Sequence, residues 1–158
     1  MMYYAAYGSN INLKQMNYRC PNSKIVDTGY LVGWKLYFNI YASVEYTGNK
    51  KDVVPVLVWE IADEDWEILD MYEGYPKYYT LATAKTKFSN GKIETCIIYI
   101  MTDYRGEDYI QPSEEYIEKI VVGYLENGLN IKHIVKALEY SNKKRFKIIK
   151  EYYNKGMI

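Results

Sequence analysis

The sequence is poor in the residues that build metal sites and nucleophile pairs. Its 158 residues include one histidine, His133, and two cysteines, Cys20 and Cys96, which lack the Cys-x-x-Cys spacing of zinc ligands. One distant histidine cannot serve a Ser/His or Cys/His arrangement, and the chain has neither a Walker-type phosphate loop nor Gly-x-Gly-x-x-Gly. We therefore expect no metal and no cofactor, and we interpret both cysteines as reduced structural thiols.

An excess of charge of either sign is also missing. Lys+Arg and Asp+Glu both number 20, so bulk charge does not favour nucleic acid as a partner. No apolar run approaches the roughly 20 residues needed to span a bilayer, and the N-terminus lacks a basic region followed by an apolar stretch. We expect a soluble, cytoplasmic protein with no nucleic-acid or membrane partner, and the length fits a single domain over 1–158.

The first half of the chain has the pattern of β-strands. Apolar, β-branched or aromatic runs cover 25–32, 34–41 and 53–61. Pro55 indicates that the early part of the third run lies at a sheet edge or a bulge. The polar segment 43–52 fits a loop or a lid over a site, and we favour the loop.

A short helix and a hairpin follow. Asp63-Glu64-Asp65 supplies a cap and early negative charge for a helix that should end at Gly74. Beyond it, runs over 79–88 and 92–101 flank Ser89-Asn90-Gly91, and an Asn-Gly pair between two such runs is a strong hairpin signal. The sequence therefore predicts an antiparallel pair here.

Two further helices are predicted near the C-terminus. Pro112-Ser113-Glu114-Glu115 opens the first, whose apolar residues fall on one face and which ends at Gly128. The second covers about 131–158 and carries a basic C-terminal stretch. We interpret this stretch as a solvated helix face and not as a nucleic-acid site.

The segment Tyr7-Gly8-Ser9-Asn10 is the first candidate for a functional site. It follows a strand-like apolar run and precedes a helix-like one, and Gly8 allows a sharp turn with close backbone approach. Ser9 and Asn10 are good helix caps that leave free N–H groups at a helix start, where negative charge is favoured. The segment fits a cradle for an anion or oxyanion, although an ordinary change of direction has the same pattern.

Glu73 is the second candidate. It lies at the expected C-terminal end of a helix, where backbone carbonyls point at it, and Asp70 lies about one turn back. Both effects oppose ionisation, and water exclusion by Tyr72, Tyr75 and Tyr79 would raise its pKa toward neutrality. The alternatives are a general acid/base or a surface glutamate before a capping glycine.

A backbone cradle and one carboxylate remain once the absent residue types are set aside. Such a pair suits a reaction in which the substrate brings its own nucleophile. The protein then needs only to position the substrate, transfer protons and stabilise an oxyanion.

Four ordered motifs resemble those of the γ-glutamylcyclotransferase family. They are Tyr4-Ala5-Ala6-Tyr7-Gly8-Ser9-Asn10, Leu69-Asp70-x-x-Glu73-Gly74, Tyr99-x-Met101-Thr102-x-Tyr104, and Pro112-Ser113-x-x-Tyr116-x-x-x-Ile120. The similarity extends from Tyr3 to about Leu138. It implies an α+β fold in which a mixed sheet forms a small, partly closed β-barrel with flanking helices, and in which the turn at Gly8 lies at the mouth of a cavity.

The resemblance also implies an activity. Family enzymes let the free α-amino group of a γ-glutamyl compound attack its own γ-carbonyl, which releases 5-oxoproline and the attached amine or amino acid. Glu73 would be the acid/base, and the small γ-glutamyl substrate would be the partner. The implied substrate-binding residues are Tyr4, Ala5, Ala6, Tyr7, Gly8, Ser9, Asn10, Tyr79 and Tyr116, with backbone groups of the first six holding the glutamyl group.

Several alternatives stay open at this point. Relatives act on γ-glutamyl amino acids, γ-glutamyl-ε-lysine, glutathione or a masked antibiotic intermediate, and the helix around Tyr116 favours the first. Ala5 stands where the family often carries a larger residue. A cyclotransferase specific for γ-glutamylamines and a non-enzymatic binding module of the same fold are the other hypotheses, and exposed tyrosines could support a homodimer.

Overall fold

The computed structural model describes residues 2–156, and these contain seven strands and four α-helices. The elements are β1 (Tyr3–Ala6), α1 (Leu13–Arg19), β2 (Lys24–Val32), β3 (Trp34–Asn39), β4 (Tyr41–Tyr46), β5 (Val53–Glu60), α2 (Asp63–Glu73), β6 (Tyr79–Phe88), β7 (Ile93–Met101), α3 (Glu114–Glu126) and α4 (Lys132–Asn154). Short 3₁₀ turns cover Ser9–Ile11 and Asp103–Arg105.

Five strands form a closed mixed barrel in the order β1-β5-β2-β6-β7. The pairs are antiparallel except for β1 with β7, which run parallel. That last pair joins only Tyr3 to Cys96 and Tyr4 to Ile97, so the barrel expected to be partly closed does close, over a very short contact. The expected α+β fold is confirmed.

Pro55 lies in the part of β5 that pairs with a neighbouring strand on one side and not on the other. It pairs with Tyr30 of β2, whereas the ladder between β5 and β1 ends at Leu57. A residue without an N–H is tolerated there because no second ladder needs its donor. The predicted edge position is confirmed.

The strands β3 and β4 form a separate hairpin that the sequence did not predict in this form. Residues 34–41 were expected to be one strand and 43–52 a loop, but the chain reverses at Ile40 and Ser43 lies buried in β4. Distant contacts fix the reversal, since Asn39 Oδ1 accepts from Ile110 N at 3.0 Å and Ile40 N donates to Ile110 O at 2.7 Å. The loop prediction is correct only for the exposed part beyond Tyr46.

Helix α2 ends as predicted and begins differently. Gly74 follows it in the left-handed conformation, with φ 68°, which glycine adopts without a steric penalty. At the start, Ala62 occupies the cap position with no side-chain bond, and Asp65 is buried. Its carboxylate accepts from Asn22 N at 3.0 Å and Ser23 Oγ at 2.9 Å, so it anchors a neighbouring loop instead of capping the helix.

The hairpin β6–β7 and the last two helices confirm their predictions. Gly91 turns the hairpin with φ 88°, Ser113 caps α3 by accepting from Tyr116 N at 3.1 Å, and Gly128 follows α3 with φ 69°. Helix α4 ends at Asn154, whereas the sequence predicted a helix to residue 158. Positions 157 and 158 of that prediction, and Met1 of the predicted domain, lie outside the described residues.

Helix α3 packs tightly against the segment that follows β1. A Cβ at Gly123 would lie 2.8 Å from backbone atoms of both Ile11 and Asn12, so this contact requires glycine. The amide of Asn127 adds a bond to Ile11 O at 3.1 Å. The turn at residues 8–11 is therefore held between the barrel and α3.

No helix within residues 2–156 combines the length and the apolar character needed to cross a bilayer.

Candidate active site

A cavity of about 500 Å³ opens beside the turn that follows β1. Its wall includes Glu73 and most of the residues that the resemblance implied for substrate binding, namely Tyr4, Tyr7, Gly8, Ser9, Asn10, Tyr79 and Tyr116. The barrel, the β3–β4 hairpin, α1, α2 and α3 all contribute to it. Segments far apart in sequence therefore meet at one place.

Ala5 and Ala6 do not line this cavity. Both are fully buried in β1, where they pair with Val58 and Leu57 of β5. The structure gives their side chains a packing role, and a binding role for their backbone groups stays a prediction.

The turn itself differs in detail from the predicted helix start. Asn12 caps α1, since its Oδ1 accepts from Gln15 N at 3.0 Å, and so Ser9 and Asn10 are not the caps of that helix. They begin a 3₁₀ turn whose first internal donor is Ile11 N, bonded to Gly8 O at 3.1 Å. The N–H groups of Ser9 and Asn10 precede that donor and are not used inside the turn, which keeps them available for an anion.

Neighbouring side chains approach Gly8 closely. A Cβ at this position would lie 3.3 Å from both Ala42 Cβ and the hydroxyl oxygen of Tyr116. These distances are tighter than ordinary van der Waals contacts, so a larger residue would displace the wall of the cavity.

Glu73 is bonded to the turn through Asn10. The buried Asn10 donates from Nδ2 to Glu73 Oε1 at 3.1 Å and to the Tyr4 hydroxyl at 3.0 Å. Its Oδ1 in turn accepts from Arg19 Nη1 and Gln15 Nε2, both at 3.0 Å. A single amide therefore connects the carboxylate, a phenol and a guanidinium group.

Burial raises the pKa of Glu73 to about 7, with the negative charge of Asp70 adding to the effect and Arg19 opposing it. This is the direction predicted from the sequence. Two of the three expected tyrosine neighbours, Tyr72 and Tyr79, line the cavity with Glu73, whereas Tyr75 does not. A carboxyl group that titrates near neutral pH can both accept and return a proton under physiological conditions.

Two cavity tyrosines hold the backbone of one residue on the β3–β4 hairpin. The Tyr79 hydroxyl donates to Ala42 O at 2.6 Å, and the Tyr116 hydroxyl accepts from Ala42 N at 3.0 Å. Burial raises the pKa of both phenols, which therefore stay neutral. The hairpin that the sequence did not predict thus provides one wall of the site.

Two arginines of the cavity were not identified from the sequence. Arg19 lies 4.5 Å from the ring centroid of Tyr72, and Arg105 lies 4.9 Å from that of Tyr41 and 4.3 Å from that of Tyr78. Neither belongs to a motif, and their positions depend on tertiary packing. The motif Tyr99-x-Met101-Thr102-x-Tyr104 ends one residue before Arg105, and it is the one sequence pattern that lies close to either arginine.

The described part of the chain contains no group of three or more His, Cys, Asp or Glu residues arranged to hold a metal ion. The chemistry available in the cavity is that of one carboxyl group with a pKa near 7, unused backbone N–H groups, neutral phenols and two guanidinium groups.

Comparisons with known proteins agree with this picture. The family model "Gamma-glutamyl cyclotransferase, AIG2-like" matches residues 4–118. A gamma-glutamylcyclotransferase of Homo sapiens is 30% identical over 149 residues, which cover 86% of this chain and 78% of that protein. One from Mus musculus is 30% identical over 137 residues, covering 80% and 71%. A solved structure named "Gamma-glutamyl cyclotransferase" superposes with a TM-score of 0.71 at 27% identity, covering 91% of this chain and 86% of that one.

Proposed function

This chain belongs to the gamma-glutamyl cyclotransferase, AIG2-like family, and we propose that it converts a γ-glutamyl amino acid or amine into 5-oxoproline and the free amino acid or amine. The observation that carries the proposal is the placement of Glu73, whose pKa is about 7, within hydrogen-bonding distance of Asn10 in the turn beside the cavity.

In the proposed reaction Glu73 first acts as a base. Its carboxylate removes a proton from the α-ammonium group of the substrate, and the resulting amine attacks the γ-carbonyl carbon to form a five-membered ring. The carbonyl oxygen becomes an oxyanion, and in this proposal the N–H groups of Ser9 and Asn10, which are not used inside the turn, stabilise it.

Glu73 then acts as an acid. It returns a proton to the nitrogen of the leaving group as the oxyanion re-forms the carbonyl and the bond between that nitrogen and the γ-carbon breaks. The ring nitrogen then gives up its second proton to the Glu73 carboxylate, which passes it to the released amine, so that the products are 5-oxoproline and an ammonium ion and Glu73 is again ionised. The substrate supplies both nucleophile and electrophile, so the scheme requires no cofactor and is an acyl transfer within one molecule. The binding energy of the cavity is used to hold the chain of the substrate in the bent conformation that cyclises.

The experiment is to measure 5-oxoproline release from γ-glutamyl-alanine, γ-glutamyl-ε-lysine and glutathione. Wild type should turn over at least one of them, and Glu73→Gln should lose about 10²-fold or more in kcat because glutamine keeps the shape but not the proton transfer. Glu67→Gln is the matched control, since Glu67 is an exposed glutamate on the same helix, and it should behave as wild type.

A non-enzymatic binding module is the competing hypothesis. It predicts no release of 5-oxoproline from any of the three compounds, together with binding of 5-oxoproline that Glu73→Gln leaves unchanged in a calorimetric titration. Equal turnover by wild type and Glu73→Gln would instead contradict the role given to Glu73.

The small γ-glutamyl compound is the partner that this proposal requires. Action in the cytoplasm, without nucleic acid or membrane, follows from the sequence as an expectation, as does the homodimer. Cell fractionation and sedimentation of the purified protein test them.

A further inference from the structure

One nitrogen of the Arg105 guanidinium group is buried without a hydrogen-bond partner among residues 2–156. Its Nη1 atom is inaccessible to solvent and finds no hydrogen-bond acceptor in the described part of the chain. Leaving a buried charged donor unpaired costs free energy, so natural proteins keep few of them. The side chain also lines the cavity, so the part of the guanidinium group that faces the cavity can bind an acceptor on a ligand.

Two aromatic rings fix this guanidinium group. Its central carbon lies 4.3 Å from the ring centroid of Tyr78 and 4.9 Å from that of Tyr41. Contact with ring faces stabilises a planar cation and leaves the N–H groups on its edge free, which is the arrangement suited to a carboxylate with two parallel acceptors.

The other arginine of the cavity is already engaged. Arg19 donates to Asn10 at 3.0 Å, packs on Tyr72 and acts on the pKa of Glu73 against the effect of burial. Arg105 instead lies near Tyr79, where its charge opposes the rise in pKa that burial causes. The two cations therefore contact different rings of the cavity, Arg19 that of Tyr72 and Arg105 those of Tyr41 and Tyr78.

We propose that Arg105 binds the carboxylate of the leaving amino acid and thereby selects γ-glutamyl amino acids over γ-glutamylamines. This inference rests on the proposed function, in which N–H groups of the turn hold the glutamyl part. The substrate then has a second carboxylate only when its leaving group is an amino acid. In γ-glutamyl-alanine that carboxylate is one carbon from the leaving nitrogen, whereas γ-glutamyl-ε-lysine places it beyond a long methylene chain.

The test compares two substrates of similar size, γ-glutamyl-alanine and γ-glutamyl-ethylamide, which lacks the second carboxylate. Arg105→Met should lower kcat/KM for γ-glutamyl-alanine by about tenfold or more, mostly through KM, since a charge-assisted hydrogen bond is lost. The same preparation should turn over the ethylamide within about twofold of wild type. That second substrate reports that the variant is folded and its acid/base machinery intact.

Two further variants sharpen the comparison. Arg145→Met removes a positive charge outside the cavity and should leave both substrates unaffected. Arg105→Lys keeps the charge without the planar fork and should recover only part of the discrimination.

The outcomes separate the two proposals. Equal losses on both substrates would show that Arg105 binds the glutamyl part or only supports the fold, and no loss on either would show that it does not bind substrate; both results overturn the inference and leave the proposed function standing. If wild-type protein releases no 5-oxoproline from either substrate, the proposed function is refuted, and this inference with it.

Discussion

Asn10 donates a hydrogen bond to Glu73 over 3.1 Å, although 63 positions separate the two residues in the chain. The bond joins the turn after β1 to the end of α2. Because the same amide accepts from Arg19, the orientation of the carboxylate depends on the turn and on α1 together.

Asn10 is therefore expected to act as a positioning residue. Asn10→Ala should lower kcat by about tenfold or more, because a misplaced acid/base is costly even when its chemistry is unchanged. If Asn10 acts through Glu73, adding Asn10→Ala to Glu73→Gln should cause little further loss in kcat, and steady-state kinetics of the four proteins measures this coupling. Multiplicative losses would contradict it.

The matched control for that cycle is Asn12→Ala. Asn12 has the same side chain two positions later, but it caps α1 and donates to Lys119 O at 3.1 Å. Its replacement should reduce the free energy of unfolding by about 1 kcal/mol and leave kcat unchanged.

Glu73 should make the protein less stable at high pH. Its carboxyl pKa is about 7 in the folded protein against 4.5 for an ordinary glutamate, so the folded state retains a proton that the unfolded chain has lost. The stability contributed by this proton is complete below about pH 4.5 and is lost as the pH rises through 7. Relative to Glu73→Gln, wild type should therefore lose about 3 kcal/mol between pH 4 and pH 8.

Urea denaturation of both proteins at several pH values measures that difference. Glu67→Gln, an exposed substitution on the same helix, should give a curve parallel to wild type. Parallel curves for Glu73→Gln as well would show that Glu73 titrates as an ordinary carboxyl group.

The pH dependence of turnover should follow the same group. Since Glu73 must be ionised to accept the substrate proton, kcat/KM should rise with pH through about 7. Arg19→Met removes the charge that lowers the pKa of Glu73 and should move this limb to higher pH, whereas Asp70→Asn should move it to lower pH. Shifts in the same direction in both variants would exclude Glu73 as the titrating group.

Gly8→Ala should narrow the cavity. The added methyl group would meet Ala42 and the Tyr116 hydroxyl at 3.3 Å, so we expect a lower kcat/KM and weaker binding of 5-oxoproline. In a Tyr116→Phe background the hydroxyl is gone, and the same substitution should cost less. A calorimetric titration of the four proteins tests this, and additive penalties would show that the hydroxyl is not the obstacle.

The sequence predicts best those features that adjacent residues determine. The hairpin at Gly91, the helix end at Gly74 and the cap at Ser113 each follow from local backbone preferences. The direction of the shift in the Glu73 pKa was also predicted, but its largest cause is burial, which depends on tertiary packing, and only the effect of Asp70 comes from a residue close in the sequence.

Features set by distant contacts were missed. The reversal at Ile40 depends on Ile110, the cap of α1 is Asn12 because Ser9 and Asn10 turn toward the cavity, and Asp65 is bonded to a loop before β2. Arg105 approaches two tyrosines only after the hairpin and the barrel have come together. No local pattern contains this information.

The two tyrosines that bond to the main chain of Ala42 use their hydroxyl groups differently. Tyr79 donates its hydroxyl hydrogen to Ala42 O. Tyr116 accepts a hydrogen bond from Ala42 N, and its own hydroxyl hydrogen is not used in that bond. Of this pair, Tyr116 alone retains a hydrogen to offer a molecule in the cavity. Both hydrogen bonds are to main-chain atoms of residue 42, so the backbone of the β3–β4 hairpin, and not one of its side chains, determines which of the two phenols can donate to a bound molecule.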